Sequence, residues 1–287
     1  MFSKTYKATL KTIIRSPLTW ISVAFLVGAT IYYTFFLHTY EVDLNTMEKI
    51  WDTDPRFVIS YEDVIQRLAD ARSITVMSYA SPLLFVIVSI IVLIRDWTDN
   101  LFEIERAGNV SPLTYFFGRY SAVVTFVTSV FLIDVLFALH GYYISRRGIP
   151  DLPVWDYIVD FDFRLLRLFF TAVVPGILIF VGIAFFAANL TKSGIAGAVV
   201  SISYILFEYL CNSILLFRMP EVYKNYLTPT PLNLYLYWRY YDTEWFNIKW
   251  PHNPFSTEQM LLCLCILYSA ALLLVVGSYL CVRRRKI

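Results

Sequence analysis

Charged side chains are scarce in this sequence. Asp, Glu, Lys and Arg make up 16% of the 287 residues, whereas a soluble domain carries roughly 25%. The formal net charge of +2 is too small to favour nucleic acid as a partner. These two shortages argue against an ordinary water-soluble domain and against a nucleic-acid-binding protein.

Residues that carry enzyme chemistry are equally scarce. There are 3 histidines, and the sequence contains no phosphate-loop, H-E-x-x-H or G-x-S-x-G motif. The four cysteines form no C-x-x-C pair, which argues against a zinc site or a disulfide framework. We therefore expect no enzyme activity, no metal and no cofactor in this chain, and any ATP hydrolysis that it depends on must take place on another subunit.

Long apolar runs dominate the sequence instead. Hydrophobic residues make up 58% of the chain, and six stretches reach the length of about 20 residues that a helix needs to cross the hydrocarbon layer. These stretches are approximately 17–37, 74–94, 120–143, 165–190, 194–217 and 259–282. Because backbone polar groups cannot remain unpaired in lipid, the stretches should be helical. The sequence thus predicts an all-α polytopic membrane protein with six transmembrane helices in one transmembrane domain, residues 1–287.

Basic residues at both ends of the chain predict its orientation. Lys4, Lys7, Lys11 and Arg15 precede the first stretch, and residues 283–286 follow the last one as an unbroken basic run. The positive-inside rule places such clusters in the cytoplasm. Both termini are therefore expected on the cytoplasmic side of the cell membrane, and this requires an even number of spans.

The N-terminal segment, residues 1–16, has the pattern of an amphipathic helix. Phe2, Tyr6, Leu10 and Ile13 fall on one helical face, and the four basic residues fall on the opposite face. Such a helix lies in the headgroup layer, with its lysines toward anionic lipid. The alternative is an ordinary basic flank that follows the orientation rule.

The predicted inner loop, residues 95–119, contains the signals of a short helix. Asp96 is a suitable N-cap and Gly108 a suitable end, and a second helix should start at Ser111 and Pro112. The apolar face of the short helix is formed by Trp97, Leu101 and Ile104. Its acidic side is formed by Glu103 and Glu105. We interpret it as a docking element for a cytosolic partner, the alternative being a simple connection with Trp97 as an interfacial anchor.

Two carboxylates fall well inside the predicted spans. Asp134 in the third span and Glu208 in the fifth lie at similar depths, and Tyr204 and Asn212 flank Glu208 at one helical turn on either side. An ionisable group at this depth is costly and usually faces the bundle interior or a water-filled cavity. These four residues are the predicted translocation path, although a hydrogen-bonded structural carboxyl would satisfy the same pattern.

Together these features resemble the permease subunit of type-2 ATP-binding-cassette exporters. The resemblance is carried by the basic N-terminal helix, the six spans, the segment 103–108 followed by Pro112 and Arg119, the segment 188–194 and the basic C-terminal run. It implies that the 96–108 helix is a coupling helix on a separate nucleotide-binding subunit, which holds ATP and Mg²⁺. It also implies a homodimer or heterodimer of permeases that exports cargo by alternating access.

The apolar helices suggest amphiphilic cargo, such as a peptide, a lipid or a hydrophobic drug. Two other classes of function stay open. An ion-coupled secondary carrier or channel would use Asp134 and Glu208 as ion sites. A non-transporting membrane sensor or immunity protein would bind its ligand with the aromatic-rich outer segment 218–258, whose aromatic residues would otherwise serve as an interfacial belt or line a substrate exit.

Overall fold

The computed structural model describes residues 2–31, 81–146, 173–218 and 257–284. Within these ranges the chain forms helices and short turns, and no strand is present. The eight helices are α1 (Phe2–Arg15), α2 (Pro17–Ile31), α3 (Ser81–Thr98), α4 (Leu101–Ala107), α5 (Pro112–Arg146), α6 (Val174–Thr191), α7 (Gly194–Arg218) and α8 (Thr257–Arg283). The predicted all-α class holds for all the described residues.

Three of these helices contain segments long and apolar enough to cross a membrane, namely 112–133 of α5, all of α6 and 261–283 of α8. A bent pair, α1 followed by α2 up to Gly28, passes the same test when its two helices are taken together, and its helix axes meet at 67°. An all-helical bundle with such apolar helices is that of an α-helical membrane protein. Parts of three predicted spans lie outside the described residues, namely 32–37, 74–80 and 165–172. The aromatic segment 218–258 also lies outside them, apart from Arg218 and the start of α8.

Two helix boundaries next to α4 differ from those expected from the sequence. The third span was expected to begin at residue 120, but α5 begins at Pro112 and continues through that position without a break. Ser111 caps this helix, since its Oγ accepts a hydrogen bond from the backbone N–H of Thr114 at 3.1 Å. The predicted serine cap followed by proline is thereby confirmed, and the helix that it starts is the apolar span itself.

The short inner helix also differs from the 96–108 helix expected from the sequence. Asp96 lies inside α3, and α4 starts only at Leu101, after Asn100 with a left-handed φ of 49°. At the other end Gly108 has a φ of −81°, and Asn109 takes the left-handed conformation with a φ of 62°. The helix therefore ends at Gly108 as predicted, and the left-handed residue that follows it is Asn109, since asparagine tolerates this region better than most residues.

Helix α6 forms the centre of the bundle. Most of its residues are buried, and it packs against α3, α5, α7 and α8. A buried polar contact joins it to α8, where the Asn189 side-chain amide donates to Ser278 Oγ at 3.0 Å. The outward side of α8 exposes large apolar residues such as Leu272 and Leu273, as expected for a helix in contact with lipid.

Two glycines allow α7 to pack closely against its neighbours. A Cβ atom at Gly194 would lie 2.7 Å from the backbone N and Cα of Ile94 in α3. One at Gly197 would lie 2.8 Å from the carbonyl oxygen of Ala184 in α6. Small residues at such crossings let helix backbones approach closely inside membranes, so the start of α7 is wedged between α3 and α6.

Helix α1 packs on α5 through a face that differs from the predicted apolar face. Its buried residues are Thr5, Thr9 and Ile13, and a Cβ atom at Gly118 of α5 would lie 3.0 Å from Thr5 Cγ2. Of the predicted apolar face only Ile13 is fully buried, while Phe2 is exposed. The threonines therefore lie at the centre of the buried side of α1, and Tyr6 and Leu10 of the predicted apolar face are only half-buried at its edge.

Candidate functional site

The end of the bundle that contains α4 is held together by one buried arginine. The guanidinium of Arg119 forms ion pairs with Asp96 Oδ1 at 2.6 Å and with Glu105 Oε1 at 2.8 Å. It also lies over the ring of Tyr115, with Cζ 4.4 Å from the ring centroid. Glu105 Oε2 accepts a further hydrogen bond from Thr5 Oγ1 at 3.1 Å. We call these five residues the Arg119 cluster, and it connects α1, α3, α4 and α5.

The positions of the cluster residues follow from their places in the helices. Arg119 lies about two turns from the start of α5, next to Asp96 in the last turn of α3. The short helix α4 connects α3 and α5, so Glu105 near its end reaches the second terminal nitrogen of the same guanidinium. The planar guanidinium suits this role because its several N–H donors are held in a fixed geometry. A buried charge of this kind is tolerable only when partners satisfy it, and here two carboxylates do so.

Helix α4 has an inner and an outer side. Phe102 on the inner side is only 1% exposed, and its ring meets that of Tyr115 edge to face, with centroids 5.1 Å apart. Glu105 is on this side too, one turn later, and belongs to the Arg119 cluster. On the outer side Glu103 is exposed and Ile104 is 61% exposed. The two acidic residues of α4 thus do not share the outward acidic side expected from the sequence.

The other predicted coupling residues are distributed around this helix. Trp97 is half-buried in the last turn of α3, whereas Leu101 is half-buried at the start of α4. Because the chain turns at residues 99 and 100, Trp97 does not lie on one continuous helical face with Leu101 and Ile104. Gly108 is exposed immediately after α4, where an added Cβ would come no closer than 3.4 Å to another atom. The outward surface of the element is therefore small and centres on Ile104.

Sequence reasoning missed two residues that fix α4 in place. Phe102 was passed over because the apolar face was counted from Trp97, which belongs to another helix. Thr5 was passed over because nothing in the sequence indicates that the N-terminal helix reaches α4. The spacing of Phe102 and Glu105, one turn apart, was the available signal for an inward side.

The predicted translocation path is described only in part. Glu208 is 3% exposed and interacts electrostatically with Tyr204, one helical turn earlier. The Tyr204 ring packs against Phe180 of α6 at a centroid distance of 5.8 Å. Asp134 lies in α5 and Asn212 in α7, but their side chains are outside the described structure. The structure therefore joins Tyr204 and Glu208 and leaves the other two positions as predictions.

Comparisons of the chain with protein-family models, with curated proteins and with solved structures find no match. Function has to be inferred from the arrangement of residues described above. Two features stand out for this purpose. One is the short helix α4, which exposes Ile104 and is attached to the bundle by the Arg119 cluster. The other is the carboxyl group of Glu208, which is buried in an apolar helix.

Proposed function

We propose that this chain is the membrane permease subunit of an ATP-driven exporter of the type-2 ATP-binding-cassette class. One observation carries the proposal, namely that α4 is fixed to three other helices by the Arg119 cluster while Ile104 on its outer side is exposed. An exposed apolar residue between two charged neighbours, on a helix of seven residues, is a natural contact for a partner protein.

The Arg119 cluster explains how such a contact would act on the membrane helices. A partner that pushes on a loosely attached helix only deforms the attachment. Here Phe102 and Glu105 connect α4 to Tyr115 and Arg119 of α5, and Arg119 connects further to Asp96 of α3. Displacement of α4 would consequently move the ends of two membrane helices as rigid bodies, which is what alternating access requires.

The proposal includes the arrangement in the membrane. Six spans, both termini in the cytoplasm and residence in the cell membrane are supported by the apolar stretches and by the basic residues at both ends. Two permease chains, identical or different, would enclose the path, with two ATPase subunits below and amphiphilic cargo between the helices. ATP and Mg²⁺ would be bound by the ATPase subunits.

The partner contact is tested by comparing Ile104→Asp with Leu113→Asp. Leu113 is 52% exposed in the first turn of α5, close to α4 in sequence, and is a matched control. Removing an anchor residue at the centre of an interface can cost more than about 2 kcal/mol. We expect Ile104→Asp to release a copurifying ATPase from detergent extracts of the native host or to abolish its cargo-stimulated hydrolysis, with Leu113→Asp unchanged. Equal behaviour of both variants, or the absence of any copurifying ATPase, would refute the proposal.

The topology is tested separately by cysteine labelling. Single cysteines near positions 50, 155 and 240, introduced into a chain without its native cysteines, should react with an impermeant reagent in intact cells. Cysteines near 5, 105 and 285 should react only after the cells are opened. Labelling at 105 in intact cells would place α4 outside and exclude contact with a cytosolic ATPase.

A second candidate function follows from the buried carboxyl. Glu208 is almost fully buried in an apolar helix next to Tyr204, as expected of a proton or cation site in an ion-coupled carrier. For a carrier, Glu208→Gln should abolish gradient-driven uptake in vesicles without ATP, at a normal amount of protein. If the carboxyl only joins helices, glutamine should preserve both transport and assembly, because its amide has nearly the same shape and its oxygen can still accept a hydrogen bond from a neighbouring hydroxyl.

A further inference from the structure

The side of α1 that points away from the bundle is basic. Lys4, Lys7, Lys11 and Arg15 are all exposed. With about 100° between successive helical residues, they occupy the arc opposite the buried stripe of Thr5, Thr9 and Ile13. We call these four residues the basic face of α1.

The flanks of α1 give the depth at which the basic face lies. Ile14 is exposed on the arc between the buried stripe and the basic face, and Phe2 is exposed at the first residue of the helix. An interfacial helix inserts such apolar residues among acyl chains. The chain bends by 67° between α1 and α2, and the Trp20 indole N–H donates to the carbonyl oxygen of Ile14 at 2.6 Å across this bend. If α2 enters the membrane, α1 lies along its surface, with its lysines at the level of the lipid phosphates.

Helix α1 is also joined by side chains to the elements that carry the Arg119 cluster. Thr5 Oγ1 donates to Glu105 Oε2 of α4 at 3.1 Å. Near the other end, the Arg95 guanidinium of α3 donates to Thr12 Oγ1 at 3.0 Å. Any displacement of α1 along or away from the bundle must therefore break its hydrogen bond to α4.

We propose that anionic lipid headgroups bind the basic face of α1, and that this binding stabilises α4 through the bond from Thr5 to Glu105. The surface and its ligand are complementary in charge, since four cations on one face meet a layer of phosphates. A ligand that binds the docked position of α1 more tightly than displaced positions raises the docked population. The lipid thereby controls the conformation of α4, which is separated from α1 in the sequence by the whole of α2 and α3.

The inference is tested by hydrogen–deuterium exchange of residues 101–110 in the full-length protein, without any ATPase. The backbone amides of Gly108 and Val110 donate to the carbonyl oxygens of Ile104 and Glu105. Their exchange rates report how often the last turn of α4 loses these hydrogen bonds. In nanodiscs of phosphatidylcholine with phosphatidylglycerol these amides should exchange about fivefold more slowly than in phosphatidylcholine alone, the scale expected from the net contribution of one hydrogen bond.

Two threonines of the same helix provide a matched pair of variants. Thr5→Val keeps the shape of the side chain and removes the donor to Glu105, so the lipid effect on α4 should disappear. Thr9 is equally buried, but its hydroxyl donates to the carbonyl oxygen of Thr5 within α1, so Thr9→Val should keep the effect. Replacing Lys4, Lys7 and Lys11 by glutamine should remove it at the source.

Three outcomes would overturn the inference. The exchange rates of wild-type protein would be equal in the two lipids, or the lipid effect would persist in Thr5→Val. Alternatively, inorganic phosphate added to phosphatidylcholine nanodiscs would reproduce the effect, and then a free anion rather than a membrane headgroup would be the ligand. Because no ATPase or cargo is involved, none of these outcomes would bear on the proposed export function.

Discussion

Removal of the buried positive charge at Arg119 is the most demanding test of the structure. The variant Arg119→Met preserves most of the side-chain volume and leaves Asp96 and Glu105 facing one another without a cation. The side chain of Asp96 is 5% exposed and that of Glu105 is 22% exposed. Removing one partner of a buried ion pair costs about 3–5 kcal/mol, and two carboxylates lose their partner here. We therefore expect a loss at the upper end of that range, a decrease of Tm on the order of 10 °C.

Glu105→Gln should be milder for a reason that the geometry supplies. Arg119 keeps its pair with Asp96, and the single amide oxygen of glutamine still accepts from Arg119, while the amide NH2 takes the place of the oxygen that faces Thr5 and can donate to its hydroxyl. Since the carboxylate of Glu105 is also partly screened by solvent, we expect a loss of roughly 1–2 kcal/mol. The exposed Glu103, two residues earlier, provides the control, and Glu103→Gln should leave Tm unchanged.

The assay is thermal unfolding of purified protein in nanodiscs, followed by intrinsic fluorescence. Combining Arg119→Met with Asp96→Asn should cost less than the sum of the two single changes, because the double variant no longer buries an unpaired carboxylate at position 96. Additive losses of stability in the double variant, or equal Tm values for Glu103→Gln and Glu105→Gln, would refute the view that the ion pairs of the Arg119 cluster stabilise the protein.

Three further changes test the packing of the bundle. Phe102→Ala should cost about 3–5 kcal/mol because it leaves a cavity against α5, whereas Ile104→Ala should leave the thermal midpoint unchanged; a lower midpoint for Ile104→Ala would show that it is buried. Gly194→Ala should destabilise by about 1–3 kcal/mol through overpacking against the α3 backbone, with Gly28→Ala, where an added Cβ meets no atom within 4 Å, as the neutral control in the same unfolding assay. Asn189→Ala should cost about 1 kcal/mol by removing the hydrogen bond between α6 and α8, and an unchanged midpoint would mean that this bond contributes nothing.

Much of the helical architecture could be predicted from local sequence. The apolar runs located α6, α7 and α8 to within a few residues over their described parts, because hydrophobic length is a property of the chain itself. The Ser111–Pro112 start was also predictable, since a cap and a fixed φ act on the next turn alone. The boundary between α3 and α4 was not, because Asp96 is a good cap in isolation and is instead held inside α3, where Arg119 neutralises it.

In the candidate site, too, some features could be predicted from local sequence and others depended on contacts between distant residues. The existence of the short helix, and the place of Ile104 on its apolar face, came from composition and spacing within a dozen residues. The inward turn of Glu105 did not, because it depends on an arginine 14 residues later and on a threonine 100 residues earlier. Contacts at such separations are decided by which helices pack together, and one sequence carries no record of that packing.

Sequence alone thus determined that this is a helical chain built from apolar runs, with basic ends and a short amphipathic element between two long helices. These properties follow from hydrophobicity and from the need to satisfy backbone hydrogen bonds within each segment. Only the tertiary structure decided that α1 packs through threonines, that Asp96 and Glu105 share one buried guanidinium and that Ile104 remains outside. A buried charge must find its partners wherever the fold provides them, and in this bundle the two carboxylates that pair with Arg119 come from two other helices, α3 and α4.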